Sequence, residues 1–232
     1  MKKVCVLTGA GVSAESGIKT FRDADGLWEG HDVMEVASPQ GWNANQELVL
    51  KFYNDRRRQL QEVKPNAGHH ALVDLEKKFK TVIITQNVDD LHERAGSSNI
   101  IHLHGQLLKV RSIRNENDIY HWPGDLSKED TCKNGYQLRP HIVWFGEAVP
   151  ELENAIQEII DADIIIIIGT SMQVYPAASL TAYAPSDAEI YYIDPKPHIN
   201  YELSQLNDRL TIVQGTAAMK TQGVVDQLLS SE

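Results

Sequence analysis

Five consecutive isoleucines, Ile164–Ile168, constrain the fold more than any other stretch. A β-branched run closed by Gly169 reads as a strand covered on both faces, because a half-exposed strand would alternate apolar with polar residues. It is far too short to cross a bilayer. Val4–Leu7, Thr81–Thr85 and Ile190–Ile193 are similar runs, and Ile100–Leu103 and Leu210–Val213 are weaker ones. Helical patterns fall between them at Gly68–Phe79, Asp89–Arg94 and Leu152–Ile160. The alternation predicts an α/β fold, a Rossmann-like doubly wound parallel sheet.

Two stretches do not fit that rhythm. The segment from Phe21 to Asn66 is longer than one crossover needs, so it predicts a helical insertion, with helices over Val33–Ala37 and Gln46–Val63. Residues 109–139 are polar and rich in turn signals, and predict a second insertion with weak strands. The expected object is a single domain over 1–232 whose core carries a small lobe built from both insertions, about 21–66 and 109–139. Lys plus Arg number 22 against 32 for Asp plus Glu, a balance of −10. A nucleic-acid binder carries the opposite sign. Met1-Lys2-Lys3 leads into only four apolar residues, which is not a signal-peptide pattern, so a cytoplasmic location with no membrane association is expected.

Gly9-Ala10-Gly11-Val12-Ser13-Ala14 follows the first strand and fits the dinucleotide fingerprint. Gly9 would allow a sharp turn, Gly11 a close approach to pyrophosphate, and Ala14 tight packing of a following helix whose N-terminus attracts phosphate. A tight strand–helix turn with no ligand is the alternative. Other polar clusters stand at strand ends: 86–90, Gly169-Thr170-Ser171, and Asp194-Pro195-Lys196. Ligands of open α/β sheets gather beyond those ends. Asp194 is the best-placed reader of a ribose.

Gln86-Asn87-Val88-Asp89 supplies an amide and a carboxylate able to read a carboxamide such as nicotinamide; Asn87 or Asp89 could equally cap the next helix. His102 and His104 alternate, so in a strand they share one face. Either could be a general base, and spacing does not choose between them. Tyr53 and Arg56, three apart in the helix expected over Gln46–Val63, lie on one face. Together they could grip a carboxylate, or form part of a solvated basic turn.

Taken together, these residues resemble a sirtuin, a NAD-dependent protein-lysine deacylase of the Sir2 family. The resemblance runs from Gly9–Ser13 with Glu15-Ser16-Gly17-Ile18, through Phe21-Arg22, Gln86–Asp89 and His104-Gly105, to Arg139–Glu147, Gly169–Ser171 and Val174-Tyr175-Pro176. Within the family the chain is most similar to the class III branch. Tyr53-Asn54-Asp55-Arg56 matches its signature for acidic acyl groups, and Ala37 its small acyl-pocket residue. The resemblance implies NAD as cofactor and acyl-lysine proteins as substrates, with succinyl, malonyl or glutaryl favoured over acetyl. It implies His104 as general base and Asn87 as its catalytic companion. The products would be nicotinamide, lysine and 2′-O-acyl-ADP-ribose. It implies cofactor contacts from Gly9, Ala10, Gly11, Ser13, Gly17, Ile18, Phe21, Arg22 and Trp28. Gln86, Asn87, Val88, Asp89, Gly169, Thr170, Ser171, Asp194, Pro195, Lys196 and Ala217 would complete that set. Ile142–Gly146, including Val143, Trp144, Phe145 and Gly146, would pair with the substrate peptide as an added strand. Compact members of the family are often monomers.

One departure stands out. Members usually hold the small lobe with a zinc bound by cysteines in the region matching 109–139. Here the only cysteines are Cys5 and Cys132, so no metal of that type is expected. Rival readings are a NAD glycohydrolase or ADP-ribosyltransferase on the same fold, a non-catalytic NAD-responsive module, and an ordinary dehydrogenase.

Overall fold

A computed structural model describes residues 1–19 and 27–231. Phe21 and Arg22 lie outside them. The strands are β1 (Lys3–Thr8), β2 (Leu27–Trp28), β3 (His31–Asp32), β4 (Lys80–Thr85), β5 (Ile100–His102), β6 (Gly105–Ser112), β7 (Ile119–His121), β8 (Leu138–Ile142), β9 (Ile164–Ile168), β10 (Glu189–Asp194) and β11 (Leu210–Gln214). The α-helices are α1 (Val33–Val36), α2 (Pro39–Ala44), α3 (Gln46–Glu62), α4 (Ala67–Leu75), α5 (Leu91–Ala95), α6 (Leu152–Ile159), α7 (Tyr201–Ser204) and α8 (Ala217–Ser230).

Six strands form one sheet in the order β11-β10-β9-β1-β4-β5, every pair parallel. The all-apolar runs follow from this. Val4 and Val6 of β1 pack with Ile164, Ile166 and Ile168 toward Leu72 of α4 and Val225 of α8. Cys5 and Leu7 pack with Ile165 and Ile167 toward Ile159 of α6. Period-two side chains thus fill two cores, one on each face. The doubly wound sheet expected from the sequence is the observed one.

Strand order reverses between β1 and β9, the switch point at which open α/β sheets bind ligands. Register levels the strand ends there. Thr8 lies opposite both Thr85 and Ile168, Thr85 opposite His102, and Ile168 opposite Ile193. Gly9, Gln86, Gly169 and Leu103 therefore leave the sheet along one edge.

The small lobe has its own core, in which Phe52 and Tyr53 of α3 meet Leu107, Val110 and Leu138 of an antiparallel β7-β6-β8 sheet. That sheet starts at Gly105 and ends at Ile142, beyond both ends of the polar 109–139 stretch. Among the described residues no helix is long and apolar enough to cross a membrane.

The helix expected after the glycine loop does not form. Two 3-10 turns, Ala10–Val12 and Ala14–Ser16, replace it, and Gly17 ends the second at φ 99°. The Val12 carbonyl would accept the Ser16 amide in an α-helix. Instead it accepts from Asn66 Nδ2 at 2.8 Å, and Ser16 N–H turns to Ser13 O at 3.0 Å. Ala14 is exposed, so it packs no helix on the sheet.

Candidate active site

Gly9 N–H donates to Ile168 O at 3.1 Å, and Gly11 N–H to Gly169 O at 2.8 Å, so the loops after β1 and β9 are in backbone contact. A Cβ on Gly11 would sit 2.6 Å from Gly169 Cα, and one on Gly169 would sit 2.4 Å from Val12 N. Gly169 also has φ 61°. Gly9 is extended, at φ −127°. The glycines are thus required for one loop to lie against the other rather than for a sharp turn at Gly9. The result is a crevice floor of bare backbone, into which a pyrophosphate could come close. That floor, and the polar groups beside it, fit a dinucleotide.

Gln86 Nε2 donates to Thr170 Oγ1 at 3.0 Å across the switch point. Asn87 and Asp89 converge on Ser13, whose hydroxyl accepts from Asn87 Nδ2 at 3.2 Å and donates to Asp89 Oδ2 at 2.9 Å. All three are buried. Asp89 Oδ1 also accepts from Leu91 N–H at 3.1 Å. Asp89 thus bonds the first amide of α5, as the capping alternative expected, although Asp90 is the N-cap residue. Burial pushes the Asp89 carboxyl up to about 6, against the pull of Leu91 N–H and Ser13. His69, a residue no sequence pattern singled out, stands 3.4 Å from Ser13 Oγ and ties this network to α4.

The two alternating histidines separate by their partners. His102 has Asn87 O at 3.2 Å from Nδ1 and Glu93 Oε1 at 2.6 Å from Nε2, so both nitrogens are engaged. Among the described residues His104 has only its Nδ1 engaged, with Gln86 O at 3.0 Å. A carbonyl accepts, so Nδ1 carries the proton and Nε2 keeps its lone pair. Burial lowers the His104 pKa while the Gln86 bond opposes it. A neutral imidazole with a free Nε2 is equipped to be the base.

A cavity between the lobes is lined by Ile18, Trp28, Tyr53, Arg56, Val88 and Asp89, among others. It joins the α3 pair to the Asn87–Asp89 loop. Arg56 lies 4.9 Å over the Phe52 ring, its Nε is buried without a hydrogen-bond partner, and among the described residues no carboxylate pairs with it. Arg57 instead is buried, donating to Leu107 O at 2.9 Å and Asn54 Oδ1 at 2.8 Å.

Several expected residues sit differently. Trp144 is 2 % exposed, and its backbone N–H and carbonyl are both bonded to Glu147. Val143 N–H goes to His104 O and Phe145 N–H to Ala37 O, each at 2.9 Å. Three of the amides in the segment expected to pair with a peptide are thus bonded within the chain. Ala37 is buried in the small-lobe core rather than on the described cavity wall. Asp194 is 2 % exposed, with Oδ1 accepting from Lys196 N–H at 2.8 Å, so burial and this bond restrict its access to a ribose. Ala217 opens α8, where the Glu15 carboxylate accepts from Ala218 N–H at 2.8 Å.

The family model described as "Sir2 family" matches residues 9–176. The chain belongs to the Sir2 family. An "NAD-dependent protein deacylase" of Helicobacter pylori (strain ATCC 700392 / 26695) is 66% identical over 196 residues, covering 84% of this chain and 86% of that one. A solved Sir2 homologue–NAD complex superposes with TM-score 0.87 at 40% identity, over 99% of this chain and 90% of that one. The structure of Sir2Af2 bound to a myristoylated histone peptide superposes with TM-score 0.72 at 29% identity, over 100% and 94%.

Proposed function

We propose that this NAD-dependent protein deacylase of the Sir2 family acts on lysines bearing acidic acyl groups, succinyl or malonyl above all, and more weakly on acetyl-lysine. The observation that carries the acyl assignment is Arg56. Its Nε is buried and, among the described residues, unpartnered on the wall of the cavity that reaches Asp89. A buried donor without an acceptor is costly, and a ligand carboxylate would satisfy it with a charge-assisted bond. Tyr53 lines the same cavity.

When bound, NAD supplies a ribose carbon with nicotinamide as leaving group. Asn87 and Asp89, fixed by Ser13, would hold the nicotinamide end. Gly9, Gly11 and Gly169 admit the pyrophosphate. With NAD bound, His104 Nε2 would take a proton from a ribose hydroxyl, and the Gln86 carbonyl would stabilise the ring as it became charged. A protein substrate would bring its acyl-lysine to the same cleft; the family neighbour Sir2Af2 is bound to a myristoylated histone peptide.

The test is nicotinamide release with NAD and matched peptides carrying succinyl-lysine, acetyl-lysine or unmodified lysine. Release driven mainly by succinyl-lysine is expected. Release driven mainly by acetyl-lysine would remove the acyl assignment, and release without an acyl peptide would favour NAD hydrolysis instead.

A further inference from the structure

The cavity wall is braced from behind by a chain of contacts that no part of the reaction above uses. Trp144 Nε1–H donates to Tyr53 Oη at 3.0 Å, and both rings are buried. An indole nitrogen can only donate, so this contact has one polarity. The Tyr53 oxygen accepts, and its own proton must point elsewhere. Among the described residues no acceptor takes it.

Trp144 is itself held tightly. The Arg139 guanidinium lies 3.4 Å over its ring. Glu147 accepts from Arg139 at 2.6 and 3.0 Å, from Arg111 at 3.3 Å, and from Trp144 N–H at 2.9 Å. Trp42 packs beside the indole, with centroids 5.6 Å apart. We propose that Trp144, locked by Arg139 and Glu147, is a positioning residue that fixes Tyr53 as a hydrogen-bond donor to the acyl carboxylate. The inference rests on the acidic-acyl reading of the same cavity.

The physical argument is a mismatch of donors and acceptors. With its oxygen accepting from the indole, the Tyr53 proton has no acceptor among the described residues, and Arg56 Nε beside it has none either, although the carboxylates of Glu29 and Asp89 line the same cavity without bonding them. Burial raises the Tyr53 pKa far above its ordinary value, so the hydroxyl stays a donor across the working pH range. An acidic acyl group satisfies both donors, whereas an acetyl methyl leaves them unmet. Without the indole the hydroxyl could rotate, and its donor role would no longer be preset.

The experiment compares kcat/KM for succinyl- and acetyl-lysine peptides in the wild type, Trp144→Phe, Tyr53→Phe and the double variant. The succinyl-to-acetyl ratio should fall roughly five- to tenfold in Trp144→Phe, the size of one ordinary hydrogen bond. In the Tyr53→Phe background the same substitution should change the ratio less than about twofold, because its effect runs through that hydroxyl. A merely structural tryptophan would leave the ratio alone, or its loss would add in full to that of Tyr53→Phe, and either result overturns the proposal. If the wild type prefers succinyl-lysine and Arg56→Met abolishes that preference while Trp144→Phe does not alter it, only this inference falls. A wild type without the preference removes both. Should Trp144→Phe fail to fold, the four indole N–H resonances of the wild type carry the test. The Trp144 resonance should shift with succinyl-lysine peptide and not with acetyl-lysine peptide; an equal response to the two overturns the proposal.

Discussion

Asp89 shows at residue scale how the site trades stability for chemistry. Its folded pKa of about 6 lies above the ordinary 3.8. A carboxyl raised in this way contributes its full stability below the unfolded value and loses it as pH rises through the folded one. The difference is roughly 3 kcal/mol at most, at 1.36 kcal/mol per pKa unit. Asp89→Asn should therefore stabilise the free protein by up to about that amount at pH 8, with the gain vanishing below pH 4, while nicotinamide release falls. Denaturant titrations at the two pH values check it; an equal gain at both would refute it. Arg56 is the complementary case, a charge waiting for a partner. Arg56→Met should cost about 2–3 kcal/mol in acidic-acyl recognition and leave acetyl-lysine turnover nearly unchanged. Equal loss on both acyl peptides would remove Arg56 from the reader's role. Gln86, Asn87, Asp89 and Gly169–Ser171 were legible because they sit at strand ends. The choice between His102 and His104 was not, because alternation puts both on one face and only their partners, Glu93 and Gln86, separate them.

Among the elements, strands were easier to read than the loops that matter most. Ile164–Ile168 and Val4–Leu7 alternate between two cores, and a run buried on both faces has no other simple home. The 3-10 turns after Gly9 were illegible because Asn66, distant in sequence, takes the Val12 carbonyl. The small lobe gives the sharpest case, since family-type zinc cysteines are missing from 109–139. Among the described residues no cluster of three metal-ligating side chains occurs. Asn54 of α3 does bridging work there. Its side chain bonds Leu126 O at 3.0 Å and Leu126 N–H at 2.9 Å, and accepts from Arg57. Arg58 adds a two-point contact to Asp125. Asn54→Ala would leave three buried polar groups short of a partner, for a loss of about 2–4 kcal/mol. Hydrogen exchange should rise first over residues 122–132. Purified protein should carry less than one zinc per chain, and a chelator should leave its melting temperature unchanged; a stoichiometric metal would overturn this account of the lobe.

The whole molecule responds to acid through histidines that its composition does not reveal. Net charge is −10 with histidines neutral, which by itself suggests relief of repulsion as pH falls. The buried histidines work the other way. Burial lowers His69 to about 4 and His92 to about 3, and burial with the nearby Arg111 and Lys109 lowers His141 to about 4. The His69 and His92 rings lie 4.9 Å apart between α4 and α5, tilted by 59°, and His92 Nε2 lies 3.0 Å from Thr8 Oγ1 at the end of β1. Protonating either would put a charge between α4 and α5. Because these folded pKa values are depressed, the unfolded chain binds more protons between about pH 6.5 and 4, and stability must fall as pH falls through that window. Asp89 pulls the opposite way, but it is one group and its shift is smaller. The expected outcome is a clear loss of unfolding free energy from pH 7 to pH 4.5 in urea titrations. His92→Gln, which can still hydrogen-bond Thr8 but does not titrate, should flatten the slope. A wild-type profile that is flat or rises toward acid would mean that charge relief, not histidine burial, governs the molecule.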